Sequence, residues 1–282
     1  MSRILTPLLA LLTMAVSAPA AGEPHDQAIK IVTQIRRADY EGDRAALKRL
    51  SGDLAPFEDD KDFGARVRYW RGFALWRRAI NAFNETPTPS DIEQDLQDAI
   101  TEFDKAAARD ANFADANIAM ASCLGYLVYL HQKDEAQMKA YVARVIPILR
   151  EVRASAPDNP RLYWVLGPMY WSRPLENGGG EAKAFEAYEK GLEAIRSHRG
   201  GATDPLEPSW GEPELLMNLA WSNLNRTTPD LDAAEQYAHS ALELVPYWHY
   251  VRDILVPQIR TAKKQKELKN LDSEDSRSHF ML

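Results

Sequence analysis

Apolar residues recur along this 282-residue chain with helical periodicity, and the chain reads as helix after helix. Between Asp26 and Ala38 the residues Ile29, Val32 and Ile35 share one face. After the turn signal Glu41-Gly42-Asp43 a second helix runs from Asp43 to Leu54, so residues 21–60 form an opening hairpin. A longer, aromatic-rich helix follows from Asp62 to Asn84, carrying Tyr69, Trp70, Gly72, Phe73, Leu75 and Trp76. The run Thr86-Pro87-Thr88-Pro89-Ser90-Asp91 stops it and caps the next. Further pairs are expected over Ala114 to Leu130 with Asp134 to Ala154, and over Pro213 to Asn225 with Leu231 to Val245. A last helix from about Tyr247 to Lys269 caps the series, and residues 270–282 are polar enough to form a disordered tail.

The stretch from Pro157 to Leu192 carries the most specific pattern. Tyr163, Leu166, Gly167 and Tyr170 follow the large-large-small-large spacing of a tetratricopeptide first helix, with Pro157 marking the stop before it. Ala184, Tyr188 and Gly191 then take the small-large-small positions of a second helix. The small residue lets two helices cross closely, and the large ones fill the grooves beside it. Ala99, Phe103 and Ala106 repeat the second-helix pattern, and Leu219, Ala220, Ala234, Ala241 and Pro246 hold the expected places further on. Ala111 to Pro157 and Pro160 to Pro213 are both wider than the standard repeat of about 34 residues, so helices and loops are lengthened. The expected fold is all-α: a tetratricopeptide-like solenoid of helical hairpins, about five pairs plus a C-terminal capping helix, with the degenerate array spanning 61–269.

A closer resemblance rests on three segments. These are Pro168 to Lys190 with its Asn177-Gly178-Gly179-Gly180-Glu181 turn, then Pro208-Ser209-Trp210-Gly211-Glu212, then Leu244-Val245-Pro246-Tyr247-Trp248-His249-Tyr250. Together with the helix around Tyr69 to Arg78 they resemble a group of exported bacterial tetratricopeptide proteins. The chain is similar also to the helical lipoprotein component that accompanies tripartite periplasmic transporters for organic acids, but it lacks the lipidated cysteine. The resemblance implies an exported helical adaptor with no activity attached.

Export is legible at the N-terminus. Arg3 precedes the mostly apolar run Ile4 to Val16, which is too short to span a bilayer, and Ala18-Pro19-Ala20 has the small-x-small pattern of a cleavage site. Residues 1–20 are therefore expected to be a signal peptide, and the mature protein periplasmic or secreted, with no stable membrane insertion. The formal charge of -7, without a Lys/Arg-rich block, disfavours nucleic acid and anionic membrane as partners. Cys123 is the sole cysteine, which excludes an internal disulfide and a cysteine-based zinc site; its helical, apolar setting reads as a buried, inert thiol.

Candidate chemistry is sparse. Gly178-Gly179-Gly180 precedes a helix, but no Gly-Lys-Ser/Thr follows, so it reads as a free inter-helix turn rather than an anion cradle. His239 and Glu243 share a helix face without a third ligand. No enzyme, metal or cofactor is expected. The stronger lead is the inner face of the array, where first-helix positions place Arg66, Tyr69, Trp70, Phe73, Trp76 and Arg77, then Asp115, Ser122 and Tyr126. The following pairs add Arg161, Trp164 and Trp171, then Met217, Asn218, Trp221 and Asn225. Rings supply contact area and polar ends fix orientation, as binding surfaces require. Lengthened loops could equally fold into the groove and turn these aromatics into core. Two function classes follow: a periplasmic scaffold holding a protein or peptide partner in the concave groove, or a carrier enclosing a small organic ligand, carboxylates included, which Arg66, Arg77 and Arg161 would suit.

Overall fold

Apolar stripes at helical spacing must be buried against one another, and consecutive helices do this by pairing. The computed structural model describes residues 23–85, 91–197 and 204–279, with side chains as far as residue 271. The expected signal peptide and the Thr86–Ser90 stop lie outside the described residues, as does the end of the expected tail, residues 280–282. The helices are α1 (Glu23–Glu41), α2 (Arg44–Asp53), α3 (Gly64–Glu85), α4 (Ile92–Arg109), α5 (Ala114–Leu130) and α6 (Glu135–Ser155). They continue with α7 (Pro160–Ser172), α8 (Glu181–Ser197), α9 (Glu212–Asn225), α10 (Leu231–Leu244) and α11 (Val256–His279). Among the described residues this is a tetratricopeptide-like solenoid: each odd helix packs on the even one that follows, giving five hairpins and a terminal helix.

Local chemistry sets the boundaries. The side chains of Asp43, Asp134, Asn159 and Asp230 each accept a backbone N–H from the first turn of the helix they precede, relieving donors that the helix cannot satisfy itself. Two features depart from the expected pattern. α11 continues to His279, so residues 270–279 are helical where a disordered tail is expected. A π-helical turn, Tyr250–Leu255, leads into it.

The crossing glycine behaves as its spacing predicts. A methyl group at Gly167 would lie 1.9 Å from Tyr188 Cε1, so α7 and α8 approach at this point as only glycine allows. The triple glycine does not behave as expected. Gly178, Gly179 and Gly180 donate to the carbonyls of Leu175, Pro174 and Tyr170, so their amides already close the end of α7 and none remains for an anion. A methyl at Gly179 would stand 2.2 Å from the Arg173 carbonyl oxygen. The turn is tightly packed at Gly179 and Gly180 and open only at Gly178.

The superhelix also closes upon itself. Tyr40, near the end of α1, lies against Trp248 at 5.1 Å between ring centroids and donates to Glu214 Oε1 of α9 at 2.7 Å. The first hairpin thus meets the last pair across the concavity. Cys123 is fully buried in α5, and desolvation raises its pKa well above the ordinary thiol value, which leaves it a poor nucleophile. No described helix is long and apolar enough to cross a membrane.

Candidate binding cleft

The long connection between α8 and α9 decides what happens inside the solenoid. Pro205 and Pro208 restrict its backbone, Asp204 accepts from the Leu206 amide at 2.9 Å, and Gly211 takes φ +138°, a conformation side chains rarely tolerate. This strap, residues 204–211, enters the concavity. Trp70 Nε1 donates to the Leu206 carbonyl at 2.7 Å, and Trp210 Nε1 donates to Tyr69 Oη at 2.7 Å. The Trp210 ring packs against Phe73, Trp76 and Trp164 at centroid distances of 5.9, 5.6 and 5.4 Å, in tilted and edge-on arrangements that suit ring quadrupoles.

Several expected groove residues are therefore core. Tyr69, Trp70 and Trp76 are fully buried beneath the strap, because the chain's own indole occupies the space a partner would need. Arg66 is engaged by Asp110 and by Glu207 of the strap, and Arg161 by Asp115 and the Trp210 carbonyl. Neither is left to recognise a carboxylate. Asn225 also lies apart: it is exposed, and its amide donates to the Trp221 carbonyl within α9.

Beyond the strap the concavity stays open. Two adjoining cavities of about 430 and 540 Å³ share Phe83, Tyr126, Trp164, Pro168 and Trp221 and form one cleft. Phe83 and Tyr126 stack on one side, 6.0 Å apart at 25°, while Trp171 and Trp221 meet edge-on at 5.4 Å on the other. Trp248 and Tyr250, just at the π-helical turn, contribute to the smaller lobe; Val165, Met169 and Tyr129 contribute to the larger. Of the expected residues, Arg77, Tyr126, Trp164, Trp171, Asn218 and Trp221 are thus brought together. The repeat pattern does not single out Phe83, Met169, Trp248 and Tyr250 for this surface, since the positions that present them have no fixed place in it.

A buried polar network underlies the cleft. Arg77 is 4% exposed, and its Nε lies 2.8 Å from both carboxylate oxygens of Asp39 on α1. Asn81 Nδ2 holds the same carboxylate at 3.0 Å. Burial alone would lower the Arg77 pKa, but the carboxylates of Asp39 and Glu214 keep it well above its ordinary value, so the guanidinium stays charged. Burial pushes the Tyr126 phenol up and the Tyr250 phenol up to about 12, so both are neutral hydroxyls at physiological pH. A third cavity, about 590 Å³, opens on the other side of the strap beside Arg161 and Asp158, but its Arg161, Asp115 and Glu207 are all taken by internal ion pairs.

No protein-family model matches the sequence, and a search of curated proteins returned no match. Among solved structures, the chain is similar to the HusA haemophore from Porphyromonas gingivalis, with a TM-score of 0.57 and 17% identity, covering 75% of this chain and 98% of that one. It also aligns with a thermophilic tetratricopeptide protein of Thermus thermophilus at a TM-score of 0.43 and 16% identity, covering 77% of this chain and 98% of that one. At such identity the first likeness concerns the helical fold.

Proposed function

We propose that this is an exported binding protein that carries a small, flat, largely apolar organic ligand in the cleft between α3, α5, α7 and α9, and that it performs no catalysis. The observation that carries the reading is the strap. By filling the first half of the concavity it interrupts the long groove an extended peptide would follow, and it leaves a bounded space of a size that suits small molecules. Its tryptophan, tyrosine, phenylalanine and methionine walls favour flat rings by stacking and edge contacts, with a few polar groups such as Arg77 and Asn218 between them. Of the two classes open from sequence, a carrier and a peptide scaffold, this geometry supports the carrier. The likeness to the HusA haemophore is a likeness of fold, and it makes haemin and metal-free protoporphyrin reasonable first probes.

Titration of the purified protein with haemin, protoporphyrin and fluorene, followed by quenching of its tryptophan fluorescence, tests the reading. Saturable quenching by a flat apolar compound, reduced in Trp171→Ala and Trp221→Ala, is the expected outcome. If no such compound binds, and protein taken from its own host carries another polypeptide in native mass spectrometry, the scaffold takes the carrier's place.

A further inference from the structure

Arg77 offers more hydrogen bonds than the protein uses. A guanidinium has five N–H donors in a rigid fork. Here Asp39 occupies the Nε edge, and among the described residues no hydrogen bond engages Nη1 or Nη2. Asn81 Nδ2 also holds Asp39, at Oδ1 and at the backbone carbonyl, so the carboxylate that fixes the fork is itself fixed. The rings of Phe73, Trp76 and Trp164 surround the guanidinium carbon at 5.8, 5.7 and 5.9 Å and offer no acceptor lone pair. Arg77 lines the smaller lobe of the cleft, and two neighbours on that lobe, Trp164 Nε1 and Asn218 Nδ2, are buried with no hydrogen-bond partner among the described residues. A ligand that displaces solvent from this lobe loses hydrogen bonds unless it brings an acceptor.

The charge on that acceptor is set by what already surrounds Arg77. Asp39 balances the guanidinium, and Glu214, fixed by Tyr40 Oη and the Gly211 amide, adds a second carboxylate field at the same arginine. Counting Arg161 and its partner Asp115, which share the field of Glu214, three carboxylates already face two guanidinium groups here, so a ligand carboxylate would add to a net negative charge, and its Coulombic gain would be offset by repulsion and desolvation. We infer that the ligand is a flat ring system bearing a neutral carbonyl oxygen, as in a ketone, quinone or amide, which accepts from the Arg77 Nη groups. The inference rests on the carrier reading and adds the polar group and its charge to it.

Three probes that share one tricyclic skeleton provide the test: fluorene, 9-fluorenone and fluorene-9-carboxylate, titrated against the intact protein at neutral pH. A charged donor meeting a neutral acceptor predicts that fluorenone binds about tenfold more tightly than fluorene, or better, and at least as tightly as the carboxylate. Replacing the buried pair together, as Arg77→Met with Asp39→Asn, avoids stranding a lone carboxylate; it should bring fluorenone and fluorene to within about twofold while fluorene affinity persists. Equal binding of fluorene and fluorenone by the native protein overturns the inference and leaves the carrier reading standing. Tighter binding of the carboxylate overturns the charge argument, and a fluorenone preference that survives in the folded double variant removes Arg77 as its source. Failure of all three probes to bind overturns this inference, and flat-ring binding in the cleft falls with it only where haemin and protoporphyrin also fail to quench. If the double variant does not fold, the ratio in the native protein decides.

Discussion

The two halves of the concave surface start from the same kind of sequence and end differently. On α3, Tyr69, Trp70 and Trp76 are sealed under Trp210 and become core; on α7 and α9, Trp171 and Trp221 occupy comparable first-helix positions and remain half-exposed cleft walls. What separates them is a strap from elsewhere in the chain. An aromatic on the inner face of a solenoid is a binding residue only where the protein does not supply its own filler.

Truncation should separate the halves most sharply. Trp76→Ala removes a fully buried indole packed against Phe73, Trp164 and Trp210, and it should cost about 3 to 5 kcal/mol in chemical denaturation. Trp171→Ala should cost about 1 kcal/mol or less and act instead on ligand affinity. Equal losses at the two sites would erase the distinction between core half and cleft half.

Glycine substitutions follow, since overpacking a tight crossing costs about 1 to 3 kcal/mol. Gly167→Leu would drive side-chain atoms into the Tyr188 ring and should lie at or above the top of that range. Gly179→Ala meets a backbone carbonyl and should fall within it, where a free turn would be nearly indifferent. A melting curve for Gly179→Ala that overlays the wild type would show that the turn at the end of α7 relaxes easily.

The smallest expected effect is on pH dependence at the strap. A hydrogen bond from Arg66 holds the Asp110 carboxyl below the usual carboxylate range, and the same arginine ties down Glu207. A depressed folded-state pKa contributes stability that is present above about pH 4, the unfolded value, and is lost as the pH falls through the lower folded value. Asp110→Asn should therefore flatten the acid limb of the stability profile and leave the melting temperature shifted at pH 7. An unchanged slope below about pH 4 would mean that the Arg66–Asp110 pair adds nothing to stability.

Much of the helical order was legible along the chain. Ala114 to Leu130 is both the expected and the observed span of α5, and Pro157, Gly167 and Tyr188 locate the α7–α8 crossing, because period, caps and close approach are each written within one or two helical turns. The π-helical turn before α11 and the packing of Gly179 left no such mark. Three cleft tryptophans, Trp164, Trp171 and Trp221, could be named from register alone, whereas Trp210 stood only as a loop aromatic between Pro208 and Gly211. The strap's destination depends on bonds to Trp70 and Tyr69 between residues 136 and 141 positions apart, and no local period records those.

The all-α class, the hairpin order and the helix faces that turn inward all follow from short-range spacing along the chain. Folding, by contrast, sets Arg66 and Arg161 against internal acids, leaves Arg77 at the cleft with its terminal donors unused among the described residues, and joins α1 to α9 through Tyr40 and Glu214. Ion pairs and ring contacts of that kind depend on where distant segments come to rest, and burial, which determines whether an arginine or a tryptophan recognises a ligand or packs the core, is a property of the closed superhelix rather than of any one helix in it.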